Sequence, residues 1–208
     1  MQAQINPHFL YNTLDAIVWL AEEKKTDEVV SMVTSLSEFF RTTLSAGRDF
    51  ITVKEEESHI ESYLQIQRFR YEDIMEYEID ICPEIYDFLI PKLTLQPLVE
   101  NALYHGIKNK RGKGKIKITG KKEGDKIIFH VMDNGRGMDE STLRKLRETL
   151  NNDDNKIDRK DSGFGLVNVN QRIRQYYGKE DGLSFESEEN KGTIASVIIR
   201  AKKIEPFS

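Results

Sequence analysis

Cysteine is almost absent from this sequence, since Cys82 is the only one among 208 residues. A single cysteine cannot form an internal disulfide, which favours a reducing compartment. Long apolar runs are also lacking: the longest near the front, Ala16 to Ala21, is far too short to span a bilayer. No signal peptide is recognised. Because the chain opens abruptly before Pro7, we expect a fragment whose upstream region has been removed.

A basic excess is lacking as well, because the net charge is −4. Nothing global therefore suggests a nucleic-acid partner. The charge is unevenly distributed, with a net −6 over residues 1–74 and +2 over residues 75–208. Hydrophobic residues make up 38% of the chain and charged residues 32%, which predicts a soluble protein with a real core. We expect two domains with different roles, 1–74 and 75–208, with the boundary near residues 72–75.

The front of the chain has the spacing of helices. Asn6 and Pro7 form a helix start, with Asn as the cap and Pro at the first helical position. Apolar residues then recur at helical spacing to about Glu23, and a second helix is predicted from Thr26 to about Leu44. Thr52 and Glu55 form a capping box that opens a third helix through Tyr71.

Two short antiparallel helices cannot bury both of their apolar stripes alone. A homodimeric four-helix bundle would bury them, and we favour it. The alternative is that the second half of the chain covers the stripe. Both alternatives predict a helical hairpin in the first domain.

The pattern changes from Met75 onward, where strands and helices follow one another without regular alternation. The sequence predicts a strand at 76–81, a helix from Pro91 to Ile107, a hairpin over 114–133, short helices at 141–150 and 166–177, and a last strand pair at 183–188 and 193–200. This order indicates an α+β fold, a sandwich with one mixed sheet covered by helices on one face.

Three boxes in the second half carry chemistry. In the first, which runs from Leu95 to Gly106, Glu100 and Asn101 interrupt an apolar helix, and His105 follows Asn101 by one turn. A buried amide and carboxylate need a partner, and Mg²⁺ carrying nucleotide phosphates suits an Asn carbonyl oxygen. The alternative is a helix edge where both side chains face water.

The second box, Asp133 to Met138, places an aspartate at a strand end before Gly135 and Gly137. The glycines allow a tight turn and the close approach of a flat ligand, and the aspartate can accept a hydrogen bond from the exocyclic amine of a base. An EF-hand is excluded, because glycines stand where that loop needs oxygen ligands.

The third box is Gly163-Phe164-Gly165-Leu166, which opens a helix and can form an anion site there. It is neither a dinucleotide fingerprint nor a Walker loop, because the residues that define those motifs are missing. Each box is weak alone, but their order and spacing, with Gly192-Thr193 after them, is a strong signal.

With these boxes in this order, the back half resembles the ATP-binding (Bergerat) domain of the GHKL superfamily, which histidine kinases share with gyrase, Hsp90 and MutL. The front half, with Gln4-Ile5-Asn6-Pro7-His8-Phe9-Leu10-Tyr11-Asn12, resembles the phosphoacceptor box of LytS/YesM-type sensor histidine kinases. The resemblance implies the cytoplasmic catalytic core of a two-component membrane sensor. Any membrane segment would lie upstream of this fragment.

For the phosphoryl group, the resemblance implies that His8 is the acceptor and that an aspartate of a response regulator receives the group next. Asn12 lies where many members carry a residue implicated in dephosphorylation of the regulator. Most histidine kinases have an acidic residue directly after the histidine, but this chain has Phe9. A general base must come from elsewhere, and Glu100 is a candidate.

For the nucleotide, the resemblance implies that Asn101 holds Mg²⁺ and that Asp133 binds the adenine amine of ATP. Residues 139–162 would form a mobile lid. The wider pattern has a polar residue one turn before Asn101, where this chain has Pro97. The complete predicted nucleotide-binding set is Asn101, His105, Asp133, Gly135, Gly137, Gly163, Phe164, Gly165, Leu166 and Thr193.

Two other functions remain open from the residues. One is another GHKL ATPase, either a serine kinase or an ATP-driven clamp, against which the box around His8 argues. The other is a dimeric interaction module with a degenerate nucleotide site, against which Asn101, Asp133 and the third box argue.

Overall fold

A computed structural model describes residues 7–44, 48–108, 110, 112–151 and 164–201 of the chain. In this part of the chain no helix is both long and apolar enough to cross a membrane. The predicted capping residue Asn6 and the predicted phosphate-site residue Gly163 lie outside the described residues.

The front of the chain folds into three helices: α1 (Pro7–Glu22), α2 (Thr26–Thr43) and α3 (Val53–Arg70). Helices α1 and α2 form an antiparallel hairpin, because Phe9 at the start of α1 packs on Phe39 near the end of α2, with ring centroids 4.9 Å apart. The predicted capping box is present: the Thr52 hydroxyl accepts from the Glu55 N–H at 3.1 Å, and the Glu55 carboxylate accepts from the Thr52 N–H at 2.7 Å.

Five strands form a mixed sheet in the order β2-β4-β5-β7-β6. Only β2 and β4 are parallel, and the other neighbours are antiparallel. The strand bounds are β2 (Met75–Ile81), β4 (Gly114–Glu123), β5 (Lys126–Asp133), β6 (Gly182–Glu188) and β7 (Gly192–Arg200). The predicted hairpin and the predicted last strand pair are confirmed.

One face of this sheet is buried and the other is largely open. The buried face carries apolar residues in register, including Ile118, Val131, Ala195 and Phe185. Helices α3 and α6 (Phe164–Tyr177) contact the strands, α5 (Glu140–Asn151) contacts β6, and the segment Ala102–Ile107, which follows α4 (Gln96–Asn101), contacts β4, β5 and β7. The predicted α+β sandwich is therefore confirmed.

The predicted helix from Pro91 to Ile107 is wrong at its start. Residues Leu89–Pro91 form a strand, β3, that pairs antiparallel with β1 (Phe50–Thr52). Helix α4 begins only at Gln96, and a π-helical segment, Ala102–Ile107, continues it. Leu93 has a φ of 58°, which cannot continue a right-handed helix, so strand and helix are separate elements.

The boundary predicted near residues 72–75 stays a prediction. Helix α3 packs on α2, yet it also contacts β2, and β1 pairs with β3 beyond that boundary. The first 74 residues are thus joined to the rest by more than the covalent connection at 71–75.

Candidate active site

The adenine-binding candidate Asp133 lies at the end of β5, opposite Thr193 of β7. It is 9% exposed, and its Oδ1 accepts from the Gly135 N–H at 2.8 Å. Burial raises the pKa of Asp133 to about 6, although backbone hydrogen bonds from Gly135 and Thr193 act in the opposite direction. The protein thus holds a carboxylate ready to accept a hydrogen bond in a desolvated setting.

Two glycines pack against this carboxylate from different elements. A Cβ on Gly106, in the π-helical segment, would lie 2.5 Å from Asp133 Oδ1, and a Cβ on Gly135 would lie 2.3 Å from the Gly106 carbonyl carbon. Neither position has room for a side chain. Gly137 is required for a second reason, its φ of 63°. Gly106 was not among the predicted site residues, although it ends the first box.

A cavity joins the first and third boxes. Its lining comes from α4, from the π-helical segment and from the start of α6, and consists of Pro97, Glu100, Asn101, Tyr104, His105, Gly165 and Leu166. Asn101 is the last residue of α4, directly before the helix widens. The fold therefore brings Asn101 and His105 together with Gly165, although β4, β5 and α5 separate them in the chain.

Glu100 lies beside Asn101 and is partly buried. Burial raises the pKa of its carboxyl group, while the Gln96 amide, whose Nε2 donates to Glu100 Oε1 at 2.8 Å, lowers it. Gln96 in turn lies 2.8 Å from Nε2 of His59 on α3. The sequence analysis assigned no role to Gln96 or His59. The four-residue spacing of Gln96 and Glu100 on a helix was the available signal, whereas nothing in the sequence pointed to His59.

The glycine box before α6 is only partly described. Phe164 is the first residue of α6, and Gly165 packs against Pro97, with 3.4 Å between a Cβ placed on Gly165 and Pro97 Cβ. Of the predicted lid, residues 152–162 lie outside the described residues. Its first half is helix α5, whose side chains Leu143 and Leu150 are buried and whose Arg147 Nη2 donates to the Phe185 carbonyl oxygen at 2.6 Å.

His8 lies in the first turn of α1 and is exposed. The Asn12 amide nitrogen is 3.0 Å from His8 Nδ1 and 3.1 Å from Nε2. The next residue, Phe9, points inward and is buried. His8 and Asn12 are not among the residues that line the cavity. The structure therefore presents an accessible imidazole on one element and the candidate nucleotide site on others.

Two family profiles match the chain in succession. Residues 1–75 match the profile described as histidine kinase, and residues 90–203 match histidine kinase-, DNA gyrase B-, and HSP90-like ATPase.

Curated relatives agree with the profiles. The chain is 39% identical to the sensor histidine kinase YesM of Bacillus subtilis over 96% of this chain and 32% of YesM. It is 32% identical to the sensor protein LytS of Bacillus anthracis over 97% of this chain and 33% of LytS. A protein of Bacillus subtilis named YwpD is 39% identical over 96% of this chain and 68% of its own length. The chain thus spans about a third of the length of YesM and LytS.

Solved structures show the same fold at low sequence identity. The catalytic domain of histidine kinase ThkA superposes with a TM-score of 0.53 at 18% identity, covering 74% of this chain and 99% of that domain. A structure of ThkA in complex with the response regulator protein TrrA has a TM-score of 0.52 at 15% identity, covering 95% of this chain and 60% of that chain. The chain therefore belongs to the histidine kinase-, DNA gyrase B-, and HSP90-like ATPase family, whose profile covers more than half of it, and its first 75 residues match the histidine kinase profile.

Proposed function

We propose that this chain is an ATP-dependent protein histidine kinase, which transfers the γ-phosphoryl group of ATP to His8 and then to an aspartate of a response regulator. The observation that carries the proposal is the convergence of Asn101, His105 and Gly165 on one cavity. These residues come from separate boxes of the sequence, and together they offer an amide, an imidazole and a helix start to a phosphate chain. Asp133 does not line this cavity, but its carboxylate packs against Gly106, the residue that follows His105.

Asp133 would hold the adenine ring at the end of β5. The carboxylate would accept the exocyclic amine, and Thr193, its cross-strand neighbour, would support the base from β7. Gly135 and Gly137 keep the following loop close to the strand end, where larger residues would collide with the backbone.

The magnesium ion would bind with the nucleotide and not before it. Among the described residues there is no group of three or more His, Cys, Asp or Glu that could hold a metal by itself. Mg²⁺ commonly takes one or two protein oxygens and completes its shell with phosphates and water. Asn101 would supply the protein oxygen, and the bound ion would neutralise phosphate charge.

His8 would be the nucleophile through an unprotonated ring nitrogen. A P–N bond forms to the γ-phosphorus, the bond to the bridging oxygen breaks, and ADP leaves with that electron pair. The ring proton then passes to a base. Phe9 occupies the position of the usual acidic neighbour and is buried, so Glu100 remains the candidate base. Asn12 lies within hydrogen-bond distance of the ring and would orient it.

Two partners follow from this function. One is the receiver domain of a response regulator, a proposal supported by the ThkA complex. The other is a second copy of this chain, because α1 and α2 leave a stripe of apolar side chains exposed: Tyr11, Leu14, Val18, Val30 and Val33. The chain would be the cytoplasmic part of a membrane sensor, without nucleic-acid contact.

The test is incubation of the purified chain with γ-labelled ATP and Mg²⁺. A phosphohistidine gives label that is lost in acid and retained in base, and the His8→Gln variant should take up none while still binding ATP. Acid-stable label would instead support a serine kinase. Failure of the unmodified chain to bind ATP would support a non-catalytic module.

A further inference from the structure

A continuous line of side chains connects the residue next to His8 with the cavity. It begins with three buried aromatic rings on three helices, Phe9, Phe39 and Tyr63. Phe9 lies 4.9 Å from Phe39 and 5.5 Å from Tyr63, measured between ring centroids. Phe39 also stacks on the imidazole of His59, with centroids 4.7 Å apart and planes 20° apart.

The line continues from His59 as hydrogen bonds. His59 is fully buried, and its Nε2 lies 2.8 Å from Gln96 Oε1. The Gln96 amide then donates to Glu100 Oε1, also at 2.8 Å. Glu100 lines the cavity directly before Asn101.

The direction of these hydrogen bonds is fixed by their chemistry. An ionised carboxylate only accepts, so Gln96 must present its NH₂ group to Glu100 and its carbonyl oxygen to His59. His59 must then carry its proton on Nε2. Its Nδ1 is buried without a hydrogen-bond partner among the described residues, so Gln96 is the hydrogen-bond partner that positions the ring.

We propose that His59 and Gln96 are positioning residues that hold the Glu100 carboxylate at the cavity and make its orientation depend on how α1 and α2 pack on α3. This inference rests on the proposed function. A shift of Phe39 against His59 would turn or release the imidazole, and Gln96 would lose the partner that fixes its amide. The arrangement of the phosphoacceptor helices would thereby set the rate of phosphoryl transfer.

The experiment compares four single variants of the whole chain, and the double variant His59→Leu/Gln96→Met, in three measurements: ATP affinity by calorimetry, labelling rate at saturating ATP, and thermal unfolding. Gln96→Met and His59→Leu remove the hydrogen bonds. His59→Gln keeps a donor near the position of Nε2. Ser62→Ala is the matched control on α3, because the buried Ser62 hydroxyl donates to the Ser58 carbonyl oxygen and not toward the cavity.

We expect Gln96→Met and His59→Leu to slow labelling by about 10- to 100-fold, the loss usual when a group that orients a site side chain is removed. ATP affinity should stay close to that of the unmodified chain. His59→Gln should recover most of the rate, and Ser62→Ala should keep it. The double variant should be no slower than Gln96→Met alone, since both changes interrupt the same series of hydrogen bonds.

Coupling to the helices is tested with Phe39→Leu, which removes the stacking on His59. It should slow labelling in the unmodified chain but cause no further loss in the Gln96→Met background. If the two losses of labelling rate add, Phe39 and Gln96 act independently, and the inference is overturned. If His59→Leu does not fold, Gln96→Met, at a partly exposed position, tests the inference by itself.

The outcomes separate this inference from the proposed function. If the unmodified chain takes no label from ATP, the kinase proposal fails. If it takes label and Gln96→Met matches Ser62→Ala in rate, only the positioning role is refuted. A loss of ATP affinity parallel to the loss of rate would indicate a general disturbance of the cavity and would also refute it.

Discussion

At the scale of single residues, Asp133 combines a structural cost with a proposed binding role. Its carboxylate is desolvated, which disfavours the charge, and the Gly135 N–H only partly compensates. A hydrogen bond from a ligand would offset part of the free-energy cost of burying the Asp133 carboxylate. This combination is typical of a site residue and not of a structural one.

We predict that Asp133→Asn weakens ATP binding by about 10- to 150-fold and leaves the fold intact. An asparagine oxygen can still accept from Gly135, but the charged acceptor for the adenine amine is lost, at a cost of about 1.5–3 kcal/mol. Calorimetric titration with ATP and a thermal melt are the measurements. An unchanged dissociation constant would remove Asp133 from the base pocket.

The raised pKa of Asp133 gives a pH dependence with a definite sign. The folded value is about 6 and the ordinary value 3.8, so the folded apo protein retains a proton that the unfolded chain releases. The contribution of this group to stability is therefore present at low pH and is lost as pH rises from about 4 to about 6.

ATP binding should show the opposite trend, since the amine needs the ionised carboxylate. We expect the affinity of the unmodified chain to weaken as pH falls through about 6. Titrations of a nucleotide analogue across this range would measure it. Affinity that stays constant from pH 7.5 to 5 would mean that the charge of Asp133 does not take part.

Candidate site residues that stand in recognisable boxes could be predicted from the sequence, whereas candidates defined by contact could not. Asn101 and Asp133 could be predicted because polar residues and glycines interrupt apolar runs at fixed places. Gly106 and Gln96 lie inside the first box, but only the fold shows what each one faces. His59 could not be found, because a buried histidine on an amphipathic helix has the same sequence pattern whether or not it reaches a site.

At the scale of elements, Glu56 connects α3 to the segment before α4. It is fully buried, its Oε2 accepts from the Leu93 N–H at 2.9 Å, and its Oε1 accepts from the Leu95 N–H at 2.7 Å. These bonds satisfy backbone donors in a turn where Leu93 adopts a positive φ. Helix α4, with Asn101 at its end, is held in place partly by this carboxylate.

We predict that Glu56→Gln lowers the free energy of unfolding by about 1–3 kcal/mol, because one carboxylate oxygen becomes an NH₂ group that faces a backbone donor. Urea denaturation would measure the loss. Glu57→Gln, on the same helix but partly exposed, should change stability much less. Equal effects of the two substitutions would contradict a special role for Glu56.

The same turn explains why the predicted helix from Pro91 was wrong at its start. Proline early in an apolar run is typical of a helix start, and the sequence offered no sign that Leu89–Pro91 would pair with Phe50–Thr52. Strand pairing over this sequence distance depends on where α3 places its two ends. The hairpin at 114–133 and the last strand pair were predictable, because local alternation and turn residues define them.

At the scale of the whole molecule, the exposed apolar stripe on α1 and α2 requires a cover. Val18 is 55% exposed and Val30 60% exposed, which is unusual for helices that otherwise bury their apolar side chains. The second half of the chain does not cover this stripe in the described structure, so the first alternative of the sequence analysis, a dimeric bundle, is the one we retain as a proposal.

We predict that Val18→Asp converts a dimer to a monomer without unfolding it. The charge would be buried at the centre of a four-helix bundle but solvated in the monomer. Light scattering coupled to size exclusion would report the mass. Ile194→Thr, a change at a partly exposed position on β7, is the control and should leave the mass unchanged. A monomeric unmodified chain at micromolar concentration would contradict the proposal.

The fold class and the order of the boxes were predictable for the whole chain, because they follow from residue patterns that survive without knowledge of contacts. The way in which α3 joins the helical hairpin to the sheet was not predictable, because it depends on buried side chains such as Glu56 and His59 that have no pattern of their own. This junction also contains the side chains that lie between Phe9 and the cavity.

The central claim is that His8 receives the phosphoryl group. The most direct measurement is mass-spectrometric mapping of phosphate after brief incubation with MgATP, with digestion kept at neutral to alkaline pH so that the P–N bond survives. We expect phosphate on the peptide that contains His8, and much less on this peptide in the Asp133→Asn variant at the same ATP concentration. Phosphate on His59, His105 or His130, or on a serine, with His8 unmodified, would contradict it.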